Sequence, residues 1–104
     1  MDHSSWTTVE RLTRWLDHSA EDLGLPPDTV RLLRVLKVTE ENGEVAEAIH
    51  GAAFGSTHTW DDVEKELCGV IFTGMVALVG LTSDAPTVFE NHLAHIAQRS
   101  LTTV

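Results

Sequence analysis

Cysteine is all but missing from this chain. Cys68 is the only one, which excludes an internal disulfide and a cysteine-based metal site and agrees with a cytoplasmic setting. Within an apolar run, Cys68 reads as a small buried hydrophobe. Basic residues are also scarce, with 7 Lys and Arg against 16 Asp and Glu and a formal net charge of −9. So acidic a chain is a poor partner for a nucleic-acid backbone or an anionic membrane. No apolar stretch is long enough to span a bilayer, and no basic segment followed by an apolar core marks a signal peptide. Repeats and low-complexity tracts are absent. At 104 residues the chain, residues 1–104, has room for one core and reads as a single domain, and a deep ligand pocket calls for a second copy.

What is present is helical periodicity. Residues 1–5 read as a loose leader and 100–104 as a loose tail. Thr7 and Glu10 have the spacing of a capping box, so the first helix is predicted to begin near Thr7. It carries Val9, Leu12, Leu16, Ala20 and Leu23 on one face, with Trp6 and Trp15 beside it, and Gly24 is placed to end it. Pro26 and Pro27 break the chain, with Asp28 or Thr29 as the cap of a second helix running to about Ala53. That helix is apolar around much of its circumference, which predicts a central position. Gly51 to Thr59 reads as a flexible loop. A third helix follows from Asp61 to about Leu81, capped near Thr59 and greasy from Leu67 onward. A fourth, capped by Ser83 or Asp84 with Pro86 in its first turn, runs to about Arg99 with Val88, Phe89, Leu93 and Ile96 inward. The fold class is therefore all-α, a four-helix bundle.

Half of the acids lie between Glu40 and Glu66. On the second helix Glu41 and Glu44 are three apart and share one stripe with Val30, Leu33, Lys37 and Ala48, whereas Glu40 and Glu47 face the other way. An inward carboxylate pair calls for a cation, and Mg²⁺, an oxygen-ligand ion often shared with substrate phosphates, suits it. The same pattern also fits a solvated helix rich in a good helix former. Gly43, between the two acids, suggests close approach of a helix or ligand. On the third helix Asp62, Glu66 and Gly69 form one stripe. His92 and His95 are three apart but lack the further soft ligands that zinc needs.

Glu41-Asn-Gly-Glu44 followed by Glu66-Leu-Cys-Gly69 in an all-helical chain of this length resembles the MazG-like all-α nucleoside triphosphate pyrophosphatases. The resemblance runs from about Trp6 to Arg99, and its most specific part is Lys37-x-x-Glu40-Glu41-x-Gly43-Glu44 with Ala46-Glu47-Ala48 behind it. That family has an E-x-x-E pair on one helix and an E-x-x-D pair on the next, and the four carboxylates bind Mg²⁺. Here the last of them is Gly69. The resemblance implies Mg²⁺, with Mn²⁺ as a substitute, held by Glu41, Glu44 and Glu66 as both metal ligands and catalytic residues. Asp62 is a candidate further ligand if it faces the same ion. It implies hydrolysis of a nucleoside triphosphate to monophosphate and pyrophosphate; Lys37, Lys65 and Arg99 are candidate phosphate contacts by charge, matched to no motif of that family. It also implies a bundle completed in a homodimer or homotetramer. The glycine leaves an alternative open: a scaffold that has lost hydrolysis and serves as a small-molecule binding module or as an acid/base catalyst in another pathway.

Overall fold

The computed structural model describes residues 3–101, and among them the chain is all-helical. Helix α1 spans His3–Asp22, α2 Pro27–His50, α3 Trp60–Leu81 and α4 Ala85–Leu101. The leader is shorter than expected, since α1 begins one turn before Thr7; residues 1–2 and 102–104 lie outside the described residues. The end of α1 follows the glycine. Gly24 has φ +72°, and the amides of Gly24 and Leu25 donate to the carbonyls of Glu21 and Ala20 at 2.9 and 3.1 Å, the double closure of a left-handed helix stop.

Helix α2 starts directly on Pro27 behind an extended Pro26, so Asp28 and Thr29 belong to its first turns and neither caps it. Asp28 instead pairs with Arg31 at 3.1 Å on the surface. The stretch expected as a loop after α2 is helical at first: Gly51–Gly55 winds on as a single π-helical turn, and the reversal comes at Ser56, in the left-handed conformation with φ 59°. Gly51 is required by close approach, since a Cβ there would collide with the His58 ring and the Thr57 hydroxyl.

Helix α3 opens on a full capping box. The Asp62 amide donates to the Thr59 hydroxyl at 3.2 Å, and the Thr59 amide donates to the Asp62 carboxylate at 2.8 Å. Its apolar run makes α3 the spine of the fold, packed against α1, α2 and α4, with α2 running antiparallel along it. That place had been expected for α2, which buries only Val45 and Ala48 and leaves Leu32, Val35 and Leu36 exposed. The core joins Trp6 and Val9 of α1 to Met75 and Val76 of α3 and Ala85 of α4. Trp6, 2% exposed, also meets Phe89 at 6.1 Å between ring centroids.

Helix α4 leaves α3 at 115°. Apart from Phe89 its apolar face finds little cover, so Val88, Leu93 and Ile96, expected inward, are exposed. Leu12, Leu23, Leu67 and Ile71 are exposed as well, as is Cys68, which had been expected to be buried. The radius of gyration, 16.4 Å, exceeds the roughly 13 Å of a compact domain of this length. Among the described residues no single helix is long and apolar enough to cross a membrane.

The capping box makes a pH-dependent prediction. The Thr59 amide holds the Asp62 carboxyl below its ordinary value of 3.8, so its stabilisation is present above that value and lost as pH falls through the lower folded one. Asp62→Ala should therefore be less stable than the parent chain near neutral pH, and urea titrations should show the gap closing under acid. A gap that persists unchanged at low pH would contradict this role.

Candidate metal centre

Glu41 and Glu44 lie one turn apart on α2, and Glu66 faces them from α3 across the antiparallel contact. One carboxylate oxygen from each lies within 4.8 Å of the others, and this is the only such group of three or more metal-ligating side chains among the described residues. Glu41 and Glu66 are half-buried. Oxygens around an octahedral Mg²⁺ stand about 3.0–4.2 Å apart, given metal–oxygen distances of about 2.1 Å. The group fits such an ion after a small inward movement of flexible side chains.

Val30, Leu33 and Lys37, on the same stripe of α2, line a cavity of about 350 Å³ that none of the three acids lines; Lys37 is its link to Glu41. Its other walls are mainly apolar, Leu16 from α1 and Phe72 and Val76 from α3 among them. Lys37 stands at the junction, with its ammonium 3.1 Å from Glu40 and 3.5 Å from Glu41. The hydrogen bond that Lys37 donates to the Glu40 carboxylate, ahead of the charge of Glu41, raises its pKa. Glu41 thus has one cation beside it, whereas no ion pair forms on Glu44 or Glu66 among the described residues.

The other candidates fall elsewhere. Asp62 does not join the group, because its carboxylate is occupied by the Thr59 amide at the start of α3. Lys65, next to Glu66 in sequence, is exposed and close enough to Asp62 to favour its ionised form. Arg99 is in the last turn of α4 and lines neither the apolar cavity nor the acid group. The rings of His92 and His95 neighbour one another at 6.1 Å with no third ligand among the described residues. Gly43 faces open space rather than a neighbouring helix.

Gly69 is the informative position. A Cβ built on it would stand 2.9 Å from Glu41 Oε2 and would meet little else. A side chain at 69 therefore points straight at the acid group, and its absence leaves the space over Glu41 open. What sequence reasoning missed is the second cavity beyond Arg34, whose arginines are spread over two helices and share no short motif.

Compared with known proteins, the chain matches no family model, no curated protein and no solved structure.

Gly69→Asp should place a fourth carboxylate against Glu41. In a chelator the added repulsion should lower the melting temperature, by about 4–8 °C per kcal/mol lost. Millimolar Mg²⁺ should restore it, and should shift the variant more than the parent chain, because the ion binds the folded group selectively. A Gly69→Asp chain whose melting temperature ignores Mg²⁺ would show that position 69 does not face a cation site.

Proposed function

We propose that the chain is a Mg²⁺-dependent nucleoside triphosphate pyrophosphohydrolase of the MazG-like kind, working with three carboxylates and assembled as a homodimer. The observation that carries this reading is the convergence of Glu41, Glu44 and Glu66 within 4.8 Å beside a cavity with mainly apolar walls. Three clustered acids make an anionic substrate hard to accept unless a cation accompanies it. Mg²⁺ held by these residues would offset substrate charge and lower the pKa of a bound water.

The remaining roles belong to the chain. The apolar walls at Leu16, Leu33, Phe72 and Val76 exclude water and suit the flat faces of a base. The triphosphate then extends towards the acids past Lys37. That ammonium is poised to leave Glu40 for a phosphate oxygen, since its pairing on an exposed surface is weak. Water attacks the α-phosphorus, the bond from that phosphorus to the bridging oxygen breaks, and pyrophosphate departs. A second copy fits the exposed Leu32, Val35 and Leu36 on α2 and the uncovered face of α4.

The ion pair between Lys37 and Glu41 favours a second reading. With the fourth acid replaced by Gly69, a lysine beside Glu41 meets part of the charge a metal would otherwise neutralise. In that case the bundle persists as a metal-independent binding module, and the added space over Glu41 suits a bulkier or less charged ligand.

Pyrophosphate release from a panel of ribo- and deoxyribonucleoside triphosphates with Mg²⁺ or Mn²⁺ decides between them. Under the first reading the parent chain turns over, and Glu66→Gln lowers the rate by at least about 100-fold, beyond the usual range for outer-shell partners. A silent parent chain with an active Gly69→Asp chain would support the second reading. Silence from both would overturn the hydrolase assignment.

A further inference from the structure

A second cavity, of about 490 Å³, lies at the other end of the α2–α3 pair, walled by α1, the first turns of α2 and the α3–α4 junction. It is separate from the acid group and meets the apolar cavity at shared walls, Ala20, Leu25, Val30 and Arg34. Three of the chain's seven cations line it: Arg14, Arg31 and Arg34. With three acids on the same walls the lining is formally neutral, in a chain whose net charge is −9.

Their partners differ. Arg34, the least exposed, is bound to Asp17 at 2.6 Å and braces the wall between the cavities. Arg31 meets Asp28, a carboxylate 92% exposed, in a pair too solvated to hold it. Arg14 makes no ion pair among the described residues. Three acids, Glu10, Asp17 and Glu21, also line the cavity; Asp17 is taken by Arg34, and Glu21 lies 3.8 Å from His18. Two guanidinium groups are thus available over a cleft large enough for a small metabolite, with the hydroxyls of Thr82 and Ser83 on the opposite wall. Planar guanidinium forks match phosphate oxygens in pairs, which a lysine does not do.

We propose that this cleft is an anion-binding site for a phosphorylated small molecule, with Arg14 and Arg31 as its principal contacts. It needs no metal and does not rest on the nucleotide reading of the acid group.

The test is calorimetric titration of the chain with inorganic pyrophosphate in a chelator, with succinate as a carboxylate control. The parent chain should bind pyrophosphate saturably and more tightly than succinate. Arg14→Gln with Arg31→Gln should weaken pyrophosphate binding at least about tenfold, the loss of one or two charge-assisted contacts. Glu41→Gln with Glu44→Gln should leave it within about twofold, since those acids lie outside the cleft. Circular dichroism checks that each variant is folded, and the single Arg14→Gln change, on an exposed side chain, keeps the test open if the double variant unfolds; it should still weaken binding. Absence of saturable binding to the parent chain, equal affinity for succinate, or pyrophosphate affinity unchanged in the arginine variants would overturn the proposal.

Discussion

Mutual repulsion of three carboxylates is the constraint around which the α2–α3 pair is arranged. Glu41 and Glu44 are brought together by one helical turn, and Glu66 is brought to them only because α3 lies antiparallel against α2. Lys37 offsets part of this charge from one side, and Gly69 withholds a further side chain from the other. Like charges at this spacing repel one another, and the apolar contacts of the same two helices hold them in register. A like-charged group kept half-buried in this way favours a cation, which ties the proposed function to the packing that creates it.

The same helices leave much of their apolar surface uncovered. A helix that is hydrophobic around most of its circumference needs neighbours on every side, and α2 has α3 on only one. Leu32 and Leu36 remain more than 60% exposed, and α4 extends from the bundle with its apolar face open. The large radius of gyration expresses the same shortage of partners. The second copy proposed above would give these faces the cover that one chain does not supply.

Much of this was legible in the residues. Three-residue spacing put Glu41 and Glu44 on one face, and Lys37, one turn earlier on that stripe, lies 3.5 Å from Glu41, whereas Leu33 is exposed. Gly24, Thr59 and Pro27 marked helix boundaries because each has a local reason to do so, a left-handed conformation, a capping hydroxyl and a missing amide. Asp62 was ambiguous because one spacing serves both a capping box and a ligand stripe, and the cap won. Which helix is central was not legible, since periodicity reports how much apolar surface a helix has and not how much of it one chain can cover. The arginine cleft escaped notice for a related reason, as Arg14 and Arg31 meet only through the packing of α1 on the rest.

Divalent-ion binding tests the central claim most directly, independently of any substrate. Mn²⁺ titrated into the chain and followed by the loss of its free-ion paramagnetic resonance signal should saturate at one ion per chain. Glu41→Gln, Glu44→Gln and Glu66→Gln should each weaken that binding at least about tenfold, as expected for loss of a ligand that holds the ion. Failure of Mn²⁺ to saturate, or saturation equally tight in all three variants, would contradict the account.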